Sequence, residues 1–477
     1  MDEILLNYNF NPLDIADEDF SSLFESRRRD SCFAFVYKKQ SFFYAVRDHI
    51  GTVPLYFRFV ENNVKFSTTL APLIDKNCQL DLEGLRYLIA FGSSRIKPLF
   101  KEIRIIPPGS VVKIDCQSQK AEVIYRYKFK VKKLSCKSFF ECVNKLDELL
   151  LRAVKRTCKF DKVGLYLSGG IDSALTGIYL KKLGKKVNAY TSARWGKISS
   201  GLPFSKMSAE KIGVENHHID FLETDKYEDA VSYIPDLYGS PHSSTTGIGV
   251  ASLWRNSQIG KENQIYGSEG CDILAGSVPA QYISYFLDFL PVFVKKRLHK
   301  NIKYKSLLQN HLSFRSNGLI KECQDLKDYF DFRLPKTAKI SLTEIYITQT
   351  PQGGEAIAGP AIRNNIIYSN PFYDADVIEF MLSIPLRFRL AFSMKKKTKI
   401  YFDKIIVRKL AKRYLSKDLI FRKKGFHIYL NRDDRTKKIL AGVPKEILGI
   451  PLIDEELKFR ARIFLDWCKS VGIEVIY

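Results

Sequence analysis

The chain has 477 residues, more than one hydrophobic core usually supports, so we expect two domains. With 45% hydrophobic and 27% charged residues, the composition excludes a disordered chain and a bundle of membrane helices. The formal charge of +24 either attracts anionic partners or reflects free use of lysine on solvated surfaces.

The first third of the chain is predicted to be rich in β-strands. Short apolar and aromatic runs separated by turns indicate strands, and these lie at 32–37, 41–47, 54–60 and 64–68. A helix is predicted at 82–91, and a basic stretch without a clear period follows at 126–137. We therefore divide the chain into a β-rich domain at 1–125, a linker at 126–137 and a second domain at 138–477.

The second domain alternates strands with helices, which is typical of an α/β fold with a parallel sheet. Strands are predicted at 163–167, 187–191, 217–221 and 264–266. Helices are predicted between and around them, at 138–158, 173–183, 205–212, 227–238 and 248–257. Beyond about residue 280 the pattern is helical to the end, with helices expected at 341–349, 374–382 and 399–413.

A phosphate-binding loop is predicted where the first strand of this sheet meets a helix. The sequence there is Ser168-Gly169-Gly170-Ile171-Asp172-Ser173, so backbone N–H groups and the positive end of the helix dipole meet at one point. The glycines allow close approach of a phosphate, Ser168 and Ser173 can donate hydroxyl hydrogen bonds, and Asp172 can hold Mg²⁺. The motif S-G-G-x-D-S resembles the PP-loop of ATP pyrophosphatases, which release pyrophosphate from ATP.

A second acidic segment follows the strand at 264–266 and should emerge at the same edge of the sheet. It reads Gly267-Ser268-Glu269-Gly270-Cys271-Asp272. Asp272 could share Mg²⁺ with Asp172, and Glu269 is a candidate general base toward an amine nucleophile. The residues expected to contact the ATP are Leu167, Ser168, Gly169, Gly170, Asp172, Ser173, Thr191, Gly267 and Ser268.

The order of these motifs resembles the asparagine synthetase family, in which a G-E-G-S-D-like segment follows the PP-loop. Other segments resemble landmarks of its N-terminal glutaminase domain and of its C-terminal part; these are 33–35, 47–51, 54–56, 107–109, 370–374 and 408–426. The resemblance implies a synthetase domain of the PP-loop, adenine nucleotide α-hydrolase-like type with a helical C-terminal part. A truncated β-rich domain of the Ntn-glutaminase type would precede it. In the family a lysine of the last motif contacts the phosphates, which here selects Lys423 or Lys424.

Two departures from the family bear on function. Position 2 is Asp2, where the family has its nucleophilic cysteine, so glutamine hydrolysis is not expected. The family's E-x-R before P-F is replaced by Ile367-Tyr368-Ser369-Asn370, which removes charges beside the acyl-acceptor site. Relatives that lost the cysteine include β-lactam synthetases and lasso-peptide cyclases, and the former have a tyrosine at the position of Glu269.

These observations predict an AMP-forming ligase that joins a carboxylate to an amine through an acyl-adenylate. A lasso-cyclase-like enzyme acting on a precursor peptide, with a possible peptide-processing partner protein, is the favoured interpretation. Ammonia-dependent amidation of a small carboxylate and modification of tRNA remain alternatives, although the glutaminase-like domain makes a nucleic-acid partner less expected. The cysteines form no Cys-x-x-Cys pair, no run of 18 apolar residues is present and the N-terminus lacks an apolar signal core. We therefore predict a cytoplasmic protein without a transmembrane segment.

Overall fold

The structure is a computed structural model that carries side chains. It describes residues 3–8, 24, 32–93, 95, 97–131, 136, 138–194, 201–222, 224–257, 259–276, 336–346, 353–393, 400–421 and 434–475.

The N-terminal part is rich in β-strands, as predicted, and the structure shows that they pair antiparallel. The strands are β1 (Glu3–Tyr8), β2 (Ala34–Lys39), β3 (Phe42–Arg47), β4 (Tyr56–Val60), β5 (Asn63–Ser67), β6 (Ile103–Ile105), β7 (Ser110–Asp115) and β8 (Lys120–Arg126). One sheet has the order β1-β2-β3-β7-β8 and the other the order β5-β4-β6. Helix α1 (Leu82–Phe91) begins at Asp81, whose carboxylate accepts from the amides of Glu83 and Gly84, and it ends at Gly92 in the left-handed region.

The second part contains a five-stranded parallel sheet with the order β11-β10-β9-β12-β13. Its strands are β9 (Lys162–Tyr166), β10 (Lys186–Arg194), β11 (Asn216–Leu222), β12 (Gln264–Tyr266) and β13 (Ile367–Ser369). The chain moves outward from β9 through β10 to β11 and then returns to β12 on the other side of β9. The loops after β9 and β12 therefore flank the point where the strand order reverses, which is where ligands bind in open α/β sheets.

Helices surround this sheet and continue into the C-terminal part. They are α2 (Phe139–Thr157), α3 (Ile171–Lys182), α4 (Leu202–Ile212), α5 (Thr224–Tyr238), α6 (Thr245–Asn256), α7 (Cys271–Leu274), α8 (Lys336–Glu344), α9 (Glu355–Arg363), α10 (Ala375–Ser383), α11 (Leu386–Arg389), α12 (Ile405–Ala411), α13 (Lys417–Phe421), α14 (Asp434–Ile439) and α15 (Glu455–Ser470). Helix α2 starts where Ser138 accepts a hydrogen bond from the amide of Glu141, the pattern of a capping box. The fold is thus α/β with a helical C-terminal part and a β-rich N-terminal domain.

Two predictions for the C-terminal part were wrong. The helix expected at 399–413 begins only at Ile405, because Ile400–Phe402 forms strand β15, which pairs antiparallel with β14 (Ala391–Ser393). Aromatic and β-branched side chains favour a strand there, and Lys404 in the left-handed region separates it from the helix. The part beyond residue 280 also contains β13 and a short hairpin of β16 (Glu446–Ile447) and β17 (Ile450–Pro451), all too short to show a period in the sequence.

The β-rich domain and the α/β part that contains the parallel sheet contribute side chains to the same hydrophobic cluster. Phe35 and Tyr37 of β2 belong to the same buried cluster as Leu146 of α2 and Leu175 of α3. The β-rich domain is therefore packed firmly against the parallel sheet rather than tethered to it. None of the described helices is long and apolar enough to cross a membrane.

Candidate functional site

The turn between β9 and α3 has the geometry of an anion-binding loop. Gly169 has a φ of +71°, and a Cβ atom there would lie 2.6 Å from the carbonyl oxygen of Gly201 and from the amide nitrogen of Ser205. Only glycine therefore fits this position. Helix α3 begins after Gly170 without a side-chain cap, so its first amides point out of the sheet toward the loop. The Ser168 and Ser173 hydroxyls lie 3.3 Å apart at this point.

A cavity of about 140 Å³ opens beside the loop at the ends of β9 and β10. Leu167, Ser168 and Thr191, three of the predicted nucleotide contacts, line it. The Thr191 hydroxyl donates a hydrogen bond of 2.6 Å to the carbonyl oxygen of Leu167, which fixes the two strand ends relative to each other. Apolar side chains form the rest of the wall, among them Val250, Leu253 and Ile357. A flat, weakly polar ring suits such a cavity better than a charged group does.

The structure brings Asp172 and Asp272 together around one ammonium group. Lys404 Nζ forms an ion pair with Asp172 Oδ2 and another, of 2.7 Å, with Asp272 Oδ1. The thiol of Cys271 donates to the second oxygen of Asp172 at 3.0 Å. Asp172 is 14% exposed and Asp272 is 41% exposed, so one carboxylate is held in the protein while the other faces solvent.

Lys404 was not recognised from the sequence. It is 6% exposed and precedes α12 in the left-handed conformation, with its amide donating 3.2 Å to the carbonyl oxygen of Ala275. Burial alone would lower the pKa of this lysine, but Asp172 and Asp272 outweigh burial and hold the pKa well above its usual value. The two carboxylates therefore favour the charged form of the ammonium. Nothing in the basic stretch around it distinguishes this lysine from its neighbours.

Glu269 lies across the same edge of the sheet, in a pocket formed by two residues of the 367–370 segment. The Tyr368 hydroxyl and the Asn370 amide, at 2.7 Å, both donate to its Oε2 atom. Burial raises the pKa of Glu269 to about 7, although the hydrogen bonds from Tyr368 and Asn370 act in the opposite direction. A carboxyl group with a pKa near 7 can accept a proton at neutral pH.

The glycines around Glu269 are required by close contacts. A Cβ atom on Gly267 would lie 1.9 Å from the Tyr368 hydroxyl and 2.6 Å from Glu269 Oε2. Gly270 has a φ of +85°, and a Cβ atom there would lie 2.7 Å from the ring of Tyr373. Ser268 contacts Thr176 of α3 at 3.0 Å between hydroxyl oxygens, which ties this segment to the phosphate loop.

The donor set at this edge fits a cation that also binds phosphate. Among the described residues no group of three or more His, Cys, Asp or Glu side chains could enclose a metal ion. Mg²⁺ usually binds through one or two carboxylates plus substrate phosphates, which is the arrangement that Asp172 and Asp272 can provide.

The structure thus places all nine predicted nucleotide contacts and both predicted metal ligands at one edge of the parallel sheet. Their roles remain predictions. Lys423 and Lys424 lie outside the described residues. Tyr368 and Asn370 were seen in the sequence only as a loss of charge, whereas the structure shows that they hold Glu269.

The fold and site define an α/β chain with a glycine-rich loop and an acidic segment at its topological switch point. The asparagine synthase family matches residues 145–256, and the glutamine amidotransferase domain matches residues 26–128. A curated protein of Methanocaldococcus jannaschii named "Putative asparagine synthetase (glutamine-hydrolyzing) 2" is 21% identical over 276 residues, which is 54% of this chain and 52% of that protein. The chain therefore matches about half the length of this curated relative. The domain matches and the relative together support the asparagine synthetase family.

Three solved structures show a weaker likeness, each with a TM-score of about 0.2. The glutamine-dependent NAD⁺ synthetase from Acinetobacter baumannii in complex with ADP is 20% identical, with a TM-score of 0.21, and the match covers 38% of this chain and 33% of that one. The NH₃-dependent NAD synthetase from Campylobacter jejuni is 16% identical, with a TM-score of 0.21 and coverage of 44% and 94%. The NMN synthetase from Francisella tularensis is 14% identical, with a TM-score of 0.20 and coverage of 55% and 100%. TM-scores this low do not establish a shared fold or function.

Proposed function

We propose that this protein is an ATP-dependent ligase that forms an amide bond through an acyl-adenylate. The observation that carries the proposal is the meeting of three features at one sheet edge: the uncapped start of α3, the carboxylates of Asp172 and Asp272, and the partly buried Glu269. The start of α3 suits the phosphates of a nucleotide, and the two aspartates suit a divalent cation. Glu269 suits the role of a base toward a reacting amine. The adenine ring would occupy the cavity lined by Leu167 and Thr191.

The chemistry follows from this placement. An oxygen of the substrate carboxylate attacks the α-phosphorus of ATP, the bond to the bridging oxygen breaks, and pyrophosphate leaves. Magnesium, when held by Asp172 and Asp272, would neutralise charge on the phosphates. The ammonium of Lys404 lies beside the same carboxylates and would stabilise the negative charge that builds on the departing group. An amine then attacks the acyl carbon, AMP leaves, and the amine gives its proton to Glu269.

The amine is proposed to come from a source other than glutamine. The glutaminase of this family uses a cysteine thiolate, and three cysteines lie among the described residues of the amidotransferase-like domain: Cys32, Cys78 and Cys116. Cys32 is fully buried, and burial raises the pKa of Cys78 and of Cys116. Thiols of this kind are poor nucleophiles. We therefore favour an amine carried by the substrate itself, as in peptide cyclisation.

The pocket around Glu269 supports a substrate other than free aspartate. Its walls include the neutral hydrogen-bonding groups of Tyr368 and Asn370 in the segment where the family has the charged E-x-R. Free aspartate carries an α-ammonium and an α-carboxylate that would need charged partners, whereas a residue within a peptide has lost both of these charges to its amide bonds. A precursor peptide is the substrate class that we propose.

The test is to incubate the protein with ATP, Mg²⁺ and candidate precursor peptides encoded beside its gene, and to measure pyrophosphate and peptide mass. Pyrophosphate release with loss of one water from the peptide is the expected result. Release that requires aspartate and ammonium would instead favour ammonia-dependent amidation. Release of ammonia from glutamine would contradict the proposed nitrogen source, and the absence of pyrophosphate with every carboxylate would refute the ligase.

A further inference from the structure

Strand β13, which carries Tyr368, is the edge strand of the parallel sheet. One of its sides pairs with β12, where Tyr368 lies opposite Ile265. The backbone groups on the other side of an edge strand have no strand to pair with. In this protein, a side chain of the N-terminal domain occupies that position.

The side chain is Tyr8, at the end of β1. Its hydroxyl accepts a hydrogen bond of 2.8 Å from the amide of Tyr368 and donates one of 2.8 Å to the carbonyl oxygen of Ile366. In a parallel ladder, one residue accepts a hydrogen bond from an amide of its partner strand. The same residue donates a hydrogen bond to the carbonyl oxygen two residues earlier on that strand. The Tyr8 hydroxyl makes the same pair of bonds and so takes the place of a neighbouring strand.

Tyr8 is well placed to hold β13 in position. It is 6% exposed, and it is fixed in its own sheet opposite Ala34 of β2. Both hydrogen bonds are buried, so water does not compete freely for the backbone groups. Strand β13 is only three residues long, which leaves few other backbone contacts to fix it.

The position of β13 determines where two hydrogen-bond donors to Glu269 lie. The phenol of Tyr368 donates to Glu269 Oε2, and Asn370, one residue beyond the strand, donates to the same oxygen at 2.7 Å. A small shift of the strand would therefore move both donors away from the carboxylate. Catalytic groups lose much of their effect when they are misplaced by about 1 Å.

We propose that the amidotransferase-like domain positions the general base of the ligase site, and that Tyr8 is the positioning residue. The domain would then act as a support for Glu269 rather than as a source of nitrogen. The hydrogen-bonded connection from Tyr8 through Tyr368 to Glu269 is a property of the fold. Its effect on catalysis rests on the proposed function.

The first test is hydrogen exchange, which needs no substrate. In the full-length Tyr8→Phe protein the ring remains and only the hydroxyl is lost, so the chain should fold. We expect the amide of Tyr368 to exchange at least tenfold faster than in the wild type, measured by mass spectrometry on fragments that contain β13. Unchanged exchange at this amide would overturn the proposal.

Tyr127→Phe is the matched control. The Tyr127 hydroxyl also crosses between the two parts of the molecule, donating a hydrogen bond of 2.9 Å to Glu379, which lies on α10 rather than on β13. This variant loses the same atom from a comparable contact. We expect it to leave exchange at Tyr368 unchanged, and equal acceleration in both variants would mean a general loosening of the domain contact, against the proposal.

The second test is a pH–rate profile with ATP, Mg²⁺ and whichever peptide or amine supports turnover. Because the bond from Tyr368 lowers the pKa of Glu269, weakening it should move the apparent pKa of the rate upward from about 7 in Tyr8→Phe. We expect about a tenfold lower kcat at pH 7 with an unchanged KM for ATP, which is part of the 10²–10⁴-fold effect of a general base. A wild-type rate and profile in Tyr8→Phe would overturn the catalytic role. If the wild type itself turns over no substrate, the proposed function fails and hydrogen exchange alone decides the positioning.

Discussion

Replacing Glu269 by glutamine should change both the stability and the activity of the protein in a pH-dependent way. Glutamine keeps the shape of the side chain but cannot ionise. In the folded protein, burial raises the pKa of Glu269 from 4.5 to about 7. The folded state therefore retains a proton that the unfolded chain has lost between these two pH values.

The sign and size of the stability effect follow from this difference. The stabilisation linked to the bound proton is complete below about pH 4.5 and is lost as the pH rises through about 7. The full difference in pKa corresponds to about 3 kcal/mol. Since Glu269 is only partly buried, solvent reduces the effect, and we expect about 2 kcal/mol. Between pH 5 and pH 8 the wild type should thus lose about 2 kcal/mol of unfolding free energy that Glu269→Gln does not lose. The difference between the two proteins should shift by this amount in favour of Glu269→Gln.

Urea denaturation of both proteins at several pH values measures this difference, because the unknown cost of the substitution cancels in the comparison. In the same variant, the rate of amide formation should fall by at least about 10² and lose its rise near pH 7. A constant stability difference from pH 5 to pH 8 would refute the raised pKa. Retention of the wild-type rate would refute the assignment of Glu269 as the base.

Three further substitutions test the rest of the site. Asp172→Ala should abolish pyrophosphate release while circular dichroism stays unchanged, and full activity would contradict its role as a ligand of Mg²⁺. Lys404→Met leaves the two carboxylates without their ammonium and should lower the free energy of unfolding by about 2–4 kcal/mol. Added Mg²⁺ should then raise the melting temperature of this variant more than that of the wild type. An equal rise in both proteins would count against a shared cation site. Gly267→Ala should cost about 1–3 kcal/mol of stability through the clash with Tyr368, and urea denaturation showing no loss would mean that the tyrosine can move away.

The phosphate loop could be predicted because its determinants are local. An apolar run, two glycines and a following segment rich in apolar residues indicate a strand, a tight turn and a helix within about twelve residues of sequence. The helices and strands from 138 to 266 follow for the same reason, since each is long enough to show its period or is bounded by turn residues. The placement of Asp172 and Asp272 at one sheet edge then follows from the geometry of parallel strands.

The parts that could not be predicted depend on contacts between distant residues. Strand β13 has three residues, too few to show a period, and exists because β12 and Tyr8 pair with its two sides. Tyr8 and Tyr368 are 360 positions apart. The segment 367–370 was correctly seen to lack charge, but its hydrogen bonds to Glu269 depend on where the strand lies in the sheet.

The role of Lys404 could not be predicted from the sequence, because its partners lie far away along the chain. Its ammonium is 232 positions from Asp172 in the sequence, and a lysine in a basic stretch is usually a solvated surface residue. In the fold, two carboxylates meet at the head of α3, and their mutual repulsion in a partly buried place has to be offset by a cation. Lys404 supplies one positive charge against two negative ones, so the cluster keeps a net negative charge and can still attract a divalent ion that arrives with a nucleotide. The exposed Asp272 can turn toward such an ion, and Asp172, which Cys271 and Lys404 orient, would be its second carboxylate ligand.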